Sequence, residues 1–193
     1  MAKLKLGIIV GSNRKQSINR QLALALAKLG ATTFDETLIQ IDDLPMYNQD
    51  HEQPVPAAVA RFKAEVEASD ALLFVTPEHN RSIPAVLKNA IDWGTRPWGK
   101  SSWPDKPAAT IGASGGNVST AVAQQHLRWV LASLPALHLM GGEAYINFKP
   151  DLIDADHNVA DESVRGFLKT FIDNFAAFAA KLANKDAHQK DAA

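Results

Sequence analysis

The chain of 193 residues contains no cysteine. That absence excludes disulfides, thiolate metal sites, redox thiols and covalent cysteinyl attachment of a cofactor, and it makes a reducing cytoplasm the simplest home. Net charge is almost lacking as well. Twenty Lys and Arg against 21 Asp and Glu leave −1, so no electrostatic field draws the chain toward nucleic acid or an anionic membrane. No uncharged apolar run is long enough to span a bilayer. Lys3 and Lys5 precede the apolar stretch Leu6 to Val10, but that stretch is too short for a secretion signal and ends in a polar, arginine-containing loop. The expectation is a cytoplasmic protein, neither exported nor membrane-spanning.

What is present is a hydrophobic fraction of 46% with 21% charged residues, an ordinary globular balance that argues against disorder in the main body. Short apolar runs alternate with longer amphipathic ones, the pattern of βαβ units around a buried parallel sheet. Strands are expected at Leu4 to Val10, Glu36 to Ile41, Ala71 to Thr76, Ala108 to Ala113 and Leu137 to Met140, the last continued by Ala144 to Phe148. Helices are expected at Ile18 to Leu29, Pro56 to Ala68, Ala85 to Trp93, Val118 to Leu134 and Glu162 to Ala183. Residues 1–183 then form one α/β domain with helices on both faces of a five-stranded parallel sheet. The polar, alanine-rich 184–193 reads as a disordered tail.

Ligands of open parallel sheets bind outside the carboxyl ends of the strands, where the strand order reverses. The loops after the first, third and fourth strands therefore matter. The first is Gly11-Ser12-Asn13-Arg14-Lys15-Gln16-Ser17-Ile18-Asn19. A strand that turns sharply into a helix aims unpaired N–H groups at one spot, where the macrodipole also favours negative charge. Two hydroxyls, a guanidinium and a carboxamide add donors suited to phosphate. The bland alternative is a helix cap, with Ser17 or Asn19 satisfying backbone donors and Arg14 solvated. The loop has neither Gly-x-Gly-x-x-Gly nor a Gly-Lys-Ser/Thr ending, which points to a mononucleotide-like ligand bound by a terminal phosphate.

The second loop runs from Thr76 to Pro84, stiffened by Pro77 and Pro84 so that its backbone groups are presented in fixed positions to a flat heterocycle. A plain connector with proline at the helix start would look similar. Glu78 with His79, or His79 with His51 and Asp92, match no compact acid/base or metal spacing. The third loop, Gly112-Ala113-Ser114-Gly115-Gly116-Asn117, allows close approach of a ligand and permits positive φ where a turn exposes its amides. Ser114 lacks the spacing of a nucleophile elbow.

With these loops in view the chain resembles the NADPH-dependent FMN reductase family, a flavodoxin-like group that includes quinone, azo-dye and chromate reductases. The resemblance rests on Gly-Ser-x-Arg-x-x-Ser-x-Asn at Gly11 to Asn19, joined with Pro-Glu-x-Asn-x-Ser-Ile-Pro-x-x-Leu-Lys-Asn-Ala-Ile-Asp-Trp at Pro77 to Trp93. It implies a three-layer flavodoxin-like sandwich. It further implies that Ser12, Arg14, Ser17 and Asn19 bind the phosphate of non-covalent FMN, with Ile18 among the cofactor-binding positions. Pro77, Glu78, His79, Asn80 and Ser82 would line the ribityl chain and isoalloxazine, and Ser114, Gly115 and Gly116 would close the other edge. His79 stands where the family usually has tyrosine, and Ala85 where it often has glycine.

The resemblance also implies that NADPH or NADH reduces the flavin and that a small-molecule acceptor (a quinone, free flavin, an azo compound or a metal oxyanion such as chromate) enters the same space afterwards. No side chain need act as general base, because the flavin carries the chemistry. Trp98 and Trp103 could wall the acceptor site or simply pack the loop over the core. A homodimer or homotetramer is implied too, with Arg128 and Glu143 as candidates for pairing across subunits. The rival reading is a flavodoxin-type electron carrier that holds FMN without NAD(P)H activity, and the near-zero charge argues against it.

Overall fold

The structure is a computed structural model that describes the backbone of residues 3–190 and the side chains through Ala183. Four parallel strands build its centre: β1 (Leu4–Val10), β2 (Phe34–Ile39), β3 (Ala71–Val75) and β4 (Pro107–Ser114), in the order β2-β1-β3-β4. The free edge of β4 is shared by two short parallel strands. β5 (His138–Leu139) pairs with Pro107 and Ala108, and β6 (Tyr145–Asn147) pairs with Gly112 to Ser114. They divide the last expected strand because Gly142, at φ +92°, bends the chain between them.

Side chains alternate across each strand, so a strand buried on both faces must be apolar throughout. In β1, Leu6, Ile8 and Val10 face α1 (Ile18–Gly30) and α5 (Glu162–Lys190), meeting Leu22, Leu26, Ile172 and Phe175. Ile9 faces the opposite layer of α2 (Ala57–Ala68), α3 (Ala85–Gly94) and α4 (Ala121–Ala132), meeting Phe62, Leu87 and Leu127. Each such side chain contributes roughly 1.5 to 3 kcal/mol on burial. The result is the three-layer arrangement expected, with the 2-1-3-4-5 order of flavodoxin-like folds and its reversal between β1 and β3. No helix among the described residues is long and apolar enough to cross a membrane.

The main departures from the expected boundaries fall in β2, α4 and α5. β2 starts at Phe34 and stops at Ile39, because Phe34 is drawn into the core against Phe175, ring centroids 5.9 Å apart. α4 begins at Ala121 instead of Val118, since Ser119 takes φ +50° and no helix passes through a left-handed residue. The backbone of α5 continues to Lys190, past the expected end at Ala183, over a stretch with neither glycine nor proline. Residues 191–193 of the expected tail lie outside the described residues.

Gly112 sits where β4 passes under the start of the β3 loop. A Cβ there would overlap the Thr76 carbonyl oxygen and crowd the Thr120 side chain, whereas a Cβ on Gly115 or Gly116 would make only ordinary van der Waals contact. Gly112→Ala is therefore expected to lose about 2 kcal/mol or more in urea unfolding. Gly115→Ala serves as the control and should stay within about 0.5 kcal/mol of the parent.

Candidate functional site

The loop between β1 and α1 lies at the point where the strand order reverses. Its backbone is anchored at one end by the Gly11 N–H, which donates to Val75 O at 2.8 Å. From Ser12 through Asn19, no backbone N–H donates to another backbone group of the described chain. Ser17 is the N-cap of α1, its Oγ accepting from Arg20 N at 3.3 Å, as the capping alternative anticipated. Its hydroxyl proton stays free, so capping and anion binding are compatible. Arg14 is exposed and donates from one Nη to Gln16 O at 2.5 Å, leaving the rest of its donor fork open.

Asn19 corrects the sequence reading. It was expected to reach a phosphate, but it is 1% exposed and turned into the protein. Its Nδ2 donates to Ala113 O at 2.9 Å, and its Oδ1 accepts from Ala113 N at 2.9 Å. The carboxamide thus stitches the loop after β1 to the end of β4. Its role is to position the loop.

The loop after β3 folds back on itself. His79 and Ser82 exchange backbone hydrogen bonds at 3.0 and 2.9 Å, while Asn80 and Arg81 take φ +50° and +63°. Two left-handed central residues define a type I′ turn, which asparagine tolerates better than most residues. Glu78 is turned away from the mouth. Its Oε1 accepts from Arg81 Nη1 at 2.8 Å and its Oε2 from the Ala123 N–H at 3.0 Å, placing a carboxylate at the positive end of α4. Ser82 Oγ lies 2.7 Å from His126 Nδ1. Both residues were expected to line a ring, and both tie the loop to α4. His126 lies 44 positions from Ser82, and nothing in its local sequence signals that partner.

The loop after β4 is open. Ser114 Oγ accepts from Gly116 N at 3.2 Å and Ser114 O accepts from Phe148 N at 2.9 Å. Neither Gly115 nor Gly116 has positive φ, contrary to the reading of the paired glycines, and the left-handed residue is Ser119 instead. Both glycines are exposed, and each leaves room for a side chain at ordinary van der Waals distance from its neighbours.

Further motif residues act behind the loops. Asn89 of α3 accepts from Tyr47 N at 2.7 Å and donates to Pro45 O at 3.0 Å, and Trp93 Nε1 donates to the same carbonyl at 2.7 Å. Together they clamp the segment after β2. Tyr47 stacks edge-on against Trp93 and bonds Glu52 at 2.8 Å; burial and then that carboxylate hold its phenol above the ordinary value. Trp103 does not wall an acceptor site. It is fully buried between Phe62 and Phe74, with Nε1 on Ile91 O at 3.2 Å, whereas Trp98 is 87% exposed. Arg128 and Glu143 are engaged within their own chain, Arg128 with the Met140 and Gly142 carbonyls and Glu143 with Gln125.

A run of free amides and an arginine at the switch point of a 2-1-3-4-5 sheet, beside a rigid turn and a glycine-containing loop, belong to a flavodoxin-like protein with a loop chemically suited to an anion. The family model for NADPH-dependent FMN reductases matches residues 4–151. A 2-hydroxy-1,4-benzoquinone reductase of a Burkholderia species is 46% identical over 175 residues, covering 91% of this chain and 96% of its own length. A quinone reductase of Pseudomonas putida is 43% identical over 172 residues, covering 89% of this chain and 92% of its own. The solved structure of FerB, a flavoenzyme NAD(P)H:(acceptor) oxidoreductase of Paracoccus denitrificans, superposes with a TM-score of 0.87 at 42% identity, over 92% of this chain and 98% of that one. The chain belongs to the NADPH-dependent FMN reductase family. It is an oxidoreductase with FMN as cofactor and NAD(P)H as electron donor.

The residues present suit that cofactor. Free amides and Arg14 match a phosphate, and the room beside Gly115 and Gly116 is what a flat ring needs. The inward role of Asn19 has a measurable consequence. Asn19→Ala leaves the Ala113 N–H and C=O unpaired, and flavin-free protein should lose about 2 to 4 kcal/mol in denaturant unfolding. A residue that only touched phosphate would leave flavin-free stability unchanged.

Proposed function

We propose that the protein is an FMN-dependent NAD(P)H:quinone oxidoreductase whose cofactor phosphate is held by Ser12, Arg14, Ser17 and the amides through Ile18 and Asn19. The observation that carries this assignment is the row of unpartnered backbone N–H groups from Ser12 to Asn19, capped by Ser17 and flanked by Arg14. Pro77, His79 and Asn80 present the rigid β3 turn to the ring, with Glu78 and Ser82 holding that turn against α4. Ser114, Gly115 and Gly116 border the opposite edge. When bound, FMN supplies the hydride acceptance and the onward electron transfer, and the chain supplies position, donors and exclusion of water.

A quinone is the favoured acceptor, since quinone reductases are among the relatives above 40% identity. Free flavin, azo compounds and metal oxyanions such as chromate are further candidates for the same open mouth. The near-neutral charge supports this enzyme reading over a flavodoxin-type carrier, which would use a strongly acidic surface to find basic partners. The same composition, with no cysteine, supports a cytoplasmic location.

The assembly is a homo-oligomer on this reading. Val118, Val122 and Trp129 are exposed along one side of α4 and its leading turn, Trp129 at 78%. Val122 and Trp129 are seven positions apart and so share a helix face. A second copy of the chain would cover that stripe. Trp129→Glu should shift sedimentation toward the monomer, and a wild-type protein already monomeric at micromolar concentration would refute the assembly.

The cofactor assignment is tested by acid precipitation, which should release FMN and leave no flavin in the pellet. Arg14→Ala should weaken FMN binding by about 1.5 to 3 kcal/mol in titration, the range for a charge-assisted hydrogen bond. Stopped-flow mixing with NADPH should bleach the flavin band with saturation in the nucleotide. Steady-state plots against an added quinone should be parallel, as a shared site requires. Failure of both NADPH and NADH to bleach the band would favour the electron carrier.

A further inference from the structure

The chain has seven arginines. Arg61, Arg81, Arg96 and Arg165 each meet a carboxylate, and Arg128 donates to two backbone carbonyls. Among the described residues, Arg14 has only the Gln16 carbonyl and the Arg20 guanidinium has no hydrogen-bond or ion-pair partner. These two arginines line the same cavity, of about 500 Å³, together with Lys15, which forms no ion pair either. Ser12 and Gln40 add neutral polar groups, and Asp42 is the one carboxylate. Three cations against one anion stand out in a chain whose total charge is −1.

The cavity lies over the carboxyl ends of β1 and β2, between the phosphate loop and the segment Leu38 to Asp42. β1 has β2 on one side and β3 on the other. The loops that would receive the flavin ring follow β3 and β4, so this cavity is on the far flank of the phosphate loop. Arg14 and the free amides of α1 suffice for one phosphomonoester. Lys15 and Arg20 remain for a second.

We propose that this cavity is a second anion site, which takes the 2′-phosphate on the adenosine half of NADPH, with Arg20 as its principal donor and Lys15 as support. The inference rests on the proposed NAD(P)H oxidoreductase reading and adds a donor preference to it. A phosphomonoester carries close to two negative charges at neutral pH, and NADH has an uncharged hydroxyl at that place. A guanidinium can take two phosphate oxygens at once, so Arg20 separates the two nucleotides by a contact that only one of them offers. Because the cations are solvent-exposed, the preference must weaken with salt.

The test uses FMN-loaded protein titrated with adenosine 2′,5′-bisphosphate, with 5′-AMP and with inorganic phosphate, followed by flavin fluorescence or calorimetry. The bisphosphate should compete with NADPH and bind roughly tenfold tighter than 5′-AMP, and phosphate alone should compete far less well. Arg20→Ala should remove that tenfold difference, Arg20→Lys should restore part of it, and the ratio of kcat/KM for NADPH over NADH should fall in parallel. Equal binding of bisphosphate and 5′-AMP, or a preference that survives Arg20→Ala, overturns the proposal. So does phosphate alone competing as well as the bisphosphate, which would mark a site for any anion. If Arg20→Ala weakens FMN binding as much as bisphosphate binding, the cavity belongs to the flavin phosphate and the second site is overturned. Failure of the purified protein to take up added FMN would instead overturn the proposed cofactor site, and calorimetry of that flavin-free protein with the bisphosphate would still decide this proposal.

Discussion

The two hydrogen bonds between the Asn19 carboxamide and the Ala113 backbone set the geometry on which the rest depends. They join the loop after β1 to the end of β4 across the intervening β3, and they do so in a site closed to water, where an unmade bond is costly. A phosphate loop attached only by its own strand and helix would be free to tilt. Bound to Ala113, it has a fixed distance from the glycine loop that begins one residue later. The spacing between the loop after β1 and the loop after β4 is therefore built into the core.

A second layer of the same logic surrounds the β3 loop. Glu78 places its carboxylate on the first turn of α4, Ser82 meets His126 on the next turn, and Asn80 and Arg81 complete a tight reversal between them. The helix macrodipole and the buried carboxylate stabilise each other, so the turn and α4 move as one unit. Asn89 and Trp93 extend the scheme to the segment after β2 through Pro45 and Tyr47. Much of the polar chemistry in the long motif is thus architectural. It holds backbone edges still, which is what a protein needs when the reactive group is a cofactor.

Charge is distributed in keeping with that division. Four of the seven arginines are paired with carboxylates and Arg128 is tied to backbone carbonyls, whereas Arg14 and Arg20 lie in and beside the loop after β1 without a carboxylate partner among the described residues. Field is concentrated there without any overall basic character. An acidic nucleotide can be attracted locally while the surface as a whole stays neutral.

Periodicity alone determined the layers, because strands buried on both faces must be continuously apolar and their covering helices amphipathic; β1, β3 and α1 stand essentially where the pattern put them. The turn between β1 and α1 was legible for a related reason, since a short polar, hydroxyl-rich segment between an apolar run and an amphipathic one marks a strand-to-helix junction. The roles of individual polar side chains were not legible. Asn19 and Ser17 are two residues apart in one motif, yet one points to β4 and the other caps α1, a difference set by the helix rotation and by what β4 brings near. Trp98 and Trp103 look equivalent in one loop, and only packing against Gly94, Phe62 and Phe74 buries the second and leaves the first in solvent. The pairing of Ser82 with His126, and the gathering of Arg14, Lys15 and Arg20 with the end of β2, join segments far apart along the chain. Local sequence carries patterns of burial, but which hydrogen bonds close is decided by which strands become neighbours, and that belongs to the tertiary structure.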